Sequence, residues 1–434
     1  MRYVYFSVNT KKEKTFRHAY RYTSFKLPGC GCIAAPAQGP THRFDRSMRL
    51  TSLYIDTPAV LDTFCARIAD APWLAIDTEF MREKTYYPQF CLIQIATPGI
   101  AACIDPLKLT DLTSLYKIIY DTDIVKVLHA CRQDMEIFFH LRNEVPRPLF
   151  DTQIAAPLIG LNEQIGYAGL IADILNIQLH KGHSRTDWSQ RPLTEEQLRY
   201  AAEDVIYLAQ AYPIIRERLK ASNRLGWLES ECAILSQTET YNVAPESAWK
   251  RIAGTAQLRN RAQAVLKALA AWREQTARDE NLPRGWIIKD DAVLDLARQQ
   301  PQQADKLRQV RSMDERGIKR YGPVICRIIA QALKQPADIN GANEKPAHRS
   351  ANLEALLDTL GAIVRLIAEH NKLNPGLLAS RKDLELFLAG DQESRLLQGW
   401  RQQMAAETLQ AYLDGKTSLS AHQSKLALLP NHDA

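Results

Sequence analysis

Asp77 and Glu79 close the apolar run Trp73-Leu74-Ala75-Ile76 in the stretch WLAIDTEFMREKTYYPQFCLIQIAT. Side chains two positions apart on a strand point to the same face. A strand that continues through Glu79 therefore brings two carboxylates to one spot beside a core. A solvated strand end or a helix cap also accounts for two acids, so the pair gains meaning only if further carboxylates converge on it. Asp134, in VKVLHACRQDMEIFFHL, opens a helix after a strand, where an acid is ordinarily a cap interacting with the helix dipole. Asp204, in PLTEEQLRYAAEDVIYLAQAY, lies four residues after Tyr200, so the two share a helix face. Thr194 and Gln197 form a capping box that starts this helix near Glu195. Leu198, Ala201, Val205 and Leu208 turn the same helix inward, which brings Tyr200 and Asp204 toward the core. A surface tyrosine–carboxylate pair is the alternative.

Four carboxylates gathered at one site repel each other, and burying each unpaired costs roughly several kcal/mol. Divalent cations resolve the conflict. Two Mg²⁺ or Mn²⁺ ions about 4 Å apart, held by hard oxygen ligands, suit an in-line attack on phosphorus. One ion helps generate hydroxide from water, the other stabilises the leaving 3′ oxygen, and the Tyr200 hydroxyl can orient the water.

The elements that must position these groups can be read from the rest of the chain. At 434 residues the chain exceeds one ordinary core, so two to four domains are expected. Apolar content of 46% and charged content of 24% are those of a soluble globular protein. No apolar run approaches the roughly 18 residues of a membrane span, and the start MRYVYFSVNTKKEKTF is not a secretory signal. Most of the eight cysteines sit in apolar runs, where a thiol packs as a small hydrophobe. Cys30-Gly-Cys32 has no partner pair at zinc spacing, which argues against a structural zinc and fits a reducing cytoplasm.

Charge is unevenly shared. Residues 1–47 carry a net +7, residues 48–242 a net −7, residues 243–335 a net +8 and residues 336–434 a net −2. An acidic segment beside a basic one suggests that chemistry and nucleic-acid attraction are divided between domains, although scattered charge on solvated faces is the plainer account. Residues 1–47 show no sustained period and read as a disordered or non-native extension, with Met48 a plausible true start; an organelle transit peptide is a second option.

From 48 to 240 the pattern predicts an α/β domain with a mixed sheet. Its strands are expected at Trp73–Phe80, Phe90–Thr97, Ala101–Asp105 and Ile124–Ala130, and its helices near 133–141, 151–161, 167–176 and 195–220. Beyond residue 240 no strand is expected. Residues 241–335 and 351–420 read as two small all-α modules joined by a linker, 336–350, and followed by a tail, 421–434. The two modules resemble each other, pairing Leu269 with Leu360, Pro283 with Pro375 and Leu294 with Leu386.

The motifs DTEF, HACRQDMEIF and YAAEDV resemble, in order, the three exonuclease motifs of the DEDD superfamily, in the subclass whose third motif is Tyr-x-x-x-Asp. FDTQIAAPLIG, GYAGL and KGHSRTDWSQRPLTEEQLRYAAEDV are closer to the ribonuclease D family, and the repeated modules resemble the helicase-and-ribonuclease-D C-terminal domain, HRDC. The likeness runs from Met48 to about residue 420. It implies a ribonuclease H-like fold and a 3′→5′ exoribonuclease that trims transfer RNA precursors and other small structured RNAs to 5′-monophosphates. It also implies metal-ligand roles for Asp77, Glu79, Asp134 and Asp204 and a water-orienting role for Tyr200. RNA is then the partner, with no membrane, no obligate protein partner and a monomer as the expectation. The slightly acidic second module departs from a basic nucleic-acid binder.

Further candidates carry less chemistry. Lys181, His183, Arg185 and Trp188 precede the catalytic helix and could hold phosphate and stack a base, or form a polar connector with Trp188 packed inward. His129 reads as a hydrogen-bonded structural histidine, since metals of this class prefer oxygen. Lys319 and Arg320, in GIKRYG, could touch phosphate or line a solvated helix end. A DNA 3′→5′ exonuclease and a nonenzymatic RNA-binding protein are the rival functions. The basic segment is expected to seat the body of a structured RNA, so that removing everything after about residue 240 harms long substrates more than short ones.

Overall fold

A computed structural model describes residues 52–179, 186–255, 258, 260–334, 350–423 and 425–431. Readings that concern residues 1–47, the linker through residue 349, Lys181, His183 and Arg185 lie outside the described residues. Ser52–Ile55 (β1) leads into Pro58–Ile68 (α1), where Pro58 takes the first helical position and its missing N–H loses no bond. Trp73–Met81 (β2), Gln89–Thr97 (β3) and Ile100–Ile104 (β4) form an antiparallel meander. Thr113–Ile119 (α2), Val125–Leu128 (β5), Arg132–Arg142 (α3) and Leu149–Asp151 (β6) follow.

The six strands form one mixed sheet in the order β1-β4-β3-β2-β5-β6, with β1 parallel to β4 and β2, β5 and β6 mutually parallel. β2 is central and its residues Leu74 to Ile76 are fully buried, as expected of an apolar run covered on both faces. Thr152–Leu158 (α4), Tyr167–Leu175 (α5), Glu195–Ala221 (α6) and Leu225–Leu235 (α7) complete the α/β domain. The capping box of Thr194 and Gln197 is present and starts α6 at Glu195. The sheet, its strand positions and the main helices agree with the sequence reading; β6 and α2, each too short to leave a periodic signal, and the 11-residue α7 are additions.

The first helical module comprises Asn260–Asp279 (α8), Arg284–Ile287 (α9), Asp290–Gln299 (α10), Ala304–Leu307 (α11) and Glu315–Lys334 (α12). The second opens on Ala351–His370 (α13), Pro375–Leu378 (α14) and Arg381–Leu388 (α15), and ends with Gly399–Arg401 (α16) and Glu407–Leu413 (α17). Each copy thus begins with a long helix, a one-turn helix at the matched proline, and a third helix. Leu269 and Leu360 are both fully buried. One expectation fails. Thr417–His422 (β7) and Lys425–Pro430 (β8) form an antiparallel hairpin where a tail was expected. Alternation of Leu with small or polar residues in TSLSAHQSKLALLP is a period-two signal, and it was too short to stand out beside long helices.

All these elements belong to one compact unit, Leu50–Ala434, but the modules join the α/β domain differently. Apolar side chains of the second module, such as Leu357, Leu360 and Trp400, share one continuous core with the sheet domain. The first module has a separate core, which reaches the α/β domain through Tyr86 and Tyr87 of the β2–β3 loop.

Candidate active site

The β2 strand stays extended through Met81, so Asp77 and Glu79 do share one face, as their spacing requires. Opposite them on β3 stand Gln94 and Leu92, and the register slips between Glu79 and Phe80. Such a bulge re-aims side chains at a strand end. The long helix α6 packs across this face and brings Asp204 to the pair: one carboxylate oxygen from each of Asp77, Glu79 and Asp204 lies within 4.8 Å of the others. These three offer a ready set of hard oxygen donors for a metal ion.

Asp134 is tied to the strand by a different residue. The hydroxyl of Thr78, between Asp77 and Glu79, donates to Asp134 Oδ1. Asp134 is buried in the first turn of α3 but does not cap it; the N-cap position belongs to Cys131. Its charge is still felt by Glu79, and that of Asp77 by Asp134.

Burial is the main force on all four carboxyls, and it favours the protonated form. It pushes Asp77 up to about 8, helped by the charge of Asp204. Glu79 is pushed up to about 9 by burial and then by Asp77, Asp204 and Asp134. Asp204 rises to about 7 through burial and the neighbouring Glu203. Asp134 is also driven well above the usual carboxylate range by burial and by Asp77, against the opposing pull of the Thr78 hydroxyl. A cluster this reluctant to ionise by itself suits a site whose negative charge is balanced by a cation. Gln94 adds a second indication: it is fully buried, and neither of its amide atoms has a hydrogen-bond partner among the described residues.

Tyr200 lies one helical turn before Asp204. Burial, then the charges of Asp204, Glu79 and Asp77, hold its phenol protonated, able to donate a hydrogen bond. The turn of α6 that carries Asp204 is fastened by Tyr167, whose hydroxyl donates to the carbonyls of Glu203 and Asp204. The Trp188 of the segment before α6 is only 3% exposed, packed with Cys91, Cys103 and Ala201 and 6.2 Å from the Tyr200 ring. It therefore offers no face for a base, and the inward-packed alternative holds. Arg191 locks the same segment: it pairs with both oxygens of buried Asp105 and donates to the carbonyls of Trp188 and Cys91.

The remaining candidates are dispersed. His129 is tied to Thr152 through Nδ1 at 3.0 Å and to the Ile165 carbonyl through Nε2 at 3.1 Å, as a structural histidine would be. Lys319 and Arg320 sit near the start of α12, far in sequence and core from the carboxylates, and Arg320 pairs with Glu280 at 2.8 Å. Sequence reasoning missed Thr78, Gln94, Tyr167 and the Asp105–Arg191 pair. Only Tyr167 had a signal, its place in the GYAGL motif. The others act through contacts between distant segments.

Comparison with known proteins agrees with this geometry. The family model for a 3′-5′ exonuclease matches residues 53–220, and that for an HRDC domain matches residues 262–329. Ribonuclease D of Zymomonas mobilis is 38% identical over 392 residues, covering 88% of this chain and 98% of the relative. Ribonuclease D of Sphingobium indicum is 37% identical over 88% of this chain and 99% of its own. Among solved structures, Escherichia coli RNase D, described as an exoribonuclease involved in structured RNA processing, superposes with a TM-score of 0.75 at 32% identity, over 84% of this chain and 99% of that one. The exonuclease fold of the DEDD superfamily implies divalent metals, and the trio Asp77, Glu79 and Asp204 is consistent with them. Taken with the ordered carboxylates and the helical module behind them, the chain belongs to the ribonuclease D family of 3′-5′ exoribonucleases.

Proposed function

We propose that this exoribonuclease trims 3′ extensions of transfer RNA precursors and other small structured RNAs, releasing nucleoside 5′-monophosphates, with Asp77, Glu79, Asp134 and Asp204 holding two Mg²⁺ or Mn²⁺ ions. The observation that carries this reading is the approach within 4.8 Å of carboxylate oxygens from Asp77, Glu79 and Asp204, supplied by a strand and a distant helix. Bound ions would supply Lewis-acid activation of water and charge stabilisation at the leaving 3′ oxygen. The chain's own groups supply position. The buried β2 strand holds Asp77 and Glu79 rigid, Thr78 orients Asp134, Tyr167 fixes the Asp204 turn, and the protonated Tyr200 hydroxyl orients the attacking water.

The processing of structured RNA is supported by the description of the Escherichia coli neighbour. The division into an exonuclease domain to about residue 240 and two HRDC-like modules is supported by the repeated helix order, and the net +8 of residues 243–335 favours the first module, with Lys319 and Arg320, as the RNA-binding copy. A reducing cytoplasm suits the described cysteines, which are free and buried. The test is hydrolysis of 5′-labelled RNA and DNA bearing 3′ overhangs, with Mg²⁺ and then with EDTA. Metal-dependent shortening of RNA from its 3′ end is expected; preferential degradation of DNA would transfer the enzyme to the other sugar.

A further inference from the structure

A cavity of about 390 Å³ opens where the β2–β3 loop, α3, the 240–251 connector and the first helical module meet. That volume is within the range of roughly 300–1,000 Å³ typical of ligand clefts. Arginines from all four segments line it: Arg82, Arg132, Arg251, Arg278 and Arg284. Facing them are Glu83, Glu136 and, just behind the wall, Glu274. Five cations against three carboxylates leave an excess of positive charge inside a concave site, in contrast to the net −7 of residues 48–242.

The five are not equally engaged. Arg82 forms a bidentate pair with Glu136 at 2.8 and 2.9 Å. Arg278 and Arg284 share the buried Glu274 and both donate to the Tyr86 hydroxyl at 3.1 Å. These contacts hold three guanidinium groups in fixed orientation without neutralising the whole cluster. The exposed side chains of Arg132 and Arg251 make no hydrogen bond or ion pair with any described residue. They stand at the cavity with their donors unused. A guanidinium offers a planar fork that matches the oxygens of a phosphate, and a pair of them flanking a cleft is suited to a phosphodiester.

Position identifies whose phosphate. Arg82 is three residues past Glu79 on the same chain segment, at most about 10 Å away at roughly 3.3 Å per residue. Arg132 and Glu136 lie on α3, the helix that carries Asp134. An RNA whose 3′ end sits at the carboxylates therefore has an upstream phosphate within reach of this cavity, whose far wall belongs to the basic first module. We infer that the arginine-lined cavity between the exonuclease domain and the first helical module is a second RNA site, which grips an internal phosphate of the substrate through Arg132 and Arg251. This rests on the exoribonuclease reading but concerns a different set of residues.

The test compares wild type with R132Q/R251Q, and with K382Q on an exposed face of the second module as a control. RNA binding is measured with EDTA present, so that no hydrolysis intervenes, using a fluorescent oligonucleotide of about eight nucleotides. The double variant is expected to bind about tenfold more weakly, and its plot of log affinity against log salt should be shallower by about one. With Mg²⁺, the ratio of kcat/KM for the eight-nucleotide RNA to that for a dinucleotide should fall about tenfold. Wild-type affinity and salt slope in the double variant overturn the proposal, as does equal loss of turnover on both substrates. Adenosine 5′-monophosphate that binds wild type as tightly as the oligonucleotide, and loses that binding in the variant, would reassign the cavity to released product and likewise overturn it. A wild type that binds RNA through these arginines yet never shortens it would sink the exoribonuclease reading and leave the cavity standing.

Discussion

At the scale of single residues, the candidate site is a balance between carboxylates that burial would keep protonated and a function that needs them ionised. Asp77→Asn, Glu79→Gln and Asp204→Asn each replace a charged metal oxygen by an amide. Losing several kcal/mol of charge stabilisation corresponds to a fall in kcat/KM on the order of a thousandfold. The same substitutions relieve like-charge crowding, so the melting temperature in EDTA should stay level or rise. A variant that keeps wild-type turnover leaves the ligand set; one that melts early has lost its fold instead. Thr78→Val tests the less obvious partner. Among the described residues its hydroxyl bonds to Asp134, so the expected loss is about 10–100-fold in turnover, accompanied by weaker Mn²⁺ affinity in calorimetry. Tyr200→Phe should be milder than loss of a ligand, and an unchanged rate would remove its hydroxyl from the reaction.

At the scale of elements, the β2–β3 loop is the junction between the β2 strand and the first helical module. Its Tyr86 is buried against Glu274, and the backbone N–H groups of Tyr86 and Tyr87 both donate to Asn281 Oδ1, at 3.1 and 3.0 Å. Burial opposes ionisation of Glu274, but hydrogen bonds from Arg284 and Tyr86 outweigh it and hold its carboxyl down at about 2. A depressed folded value means that this contribution to stability is complete above the unfolded value of about 4.3 and is lost as pH falls toward about 2. Glu274→Gln should therefore melt below wild type at neutral pH, and the gap between them should narrow as the pH drops below about 4. A gap independent of pH would show that the glutamate acts through packing rather than charge.

At the scale of the whole molecule, the two helical modules are unequal partners. Trp400 of the second stacks on Trp227 of α7 at 4.4 Å between ring centroids, and its Nε1–H donates to Glu231 at 3.0 Å. Arg224 reaches from the exonuclease domain to the Asn371 carbonyl. Trp400→Ala should destabilise the protein by about 3–5 kcal/mol, seen as a lower melting temperature of the catalytic domain itself. This corrects the expectation that everything past residue 240 can be removed with little effect on short substrates. Such a deletion strips Leu357, Leu360, Val364 and Trp400 from a shared core and should leave an unstable fragment. The RNA-binding role of the first module is better tested by K319Q/R320Q. That pair of changes should raise KM for a transfer RNA precursor more than for a short oligonucleotide, with kinetics at two salt concentrations as the check.

The sequence alone marked out the candidate carboxylates and the main strands, because both signals are local. Asp77 and Glu79 are tied by a two-residue strand period, Tyr200 and Asp204 by a four-residue helix period, and the apolar runs around them declare their own burial. The helical character of the chain beyond residue 240 was equally legible, since its apolar positions follow the helical period. What only the tertiary structure decided is every relation between distant segments. It placed the Thr78 hydroxyl on Asp134, turned Trp188 inward, set Gln94 opposite Asp77, and set five arginines from four segments around one cavity. It also merged the second module into the catalytic core while joining the first through Tyr86 and Tyr87. Periodicity records which face of an element is apolar, but not which other face it will meet; that choice belongs to packing, where many segments compete for the same surface.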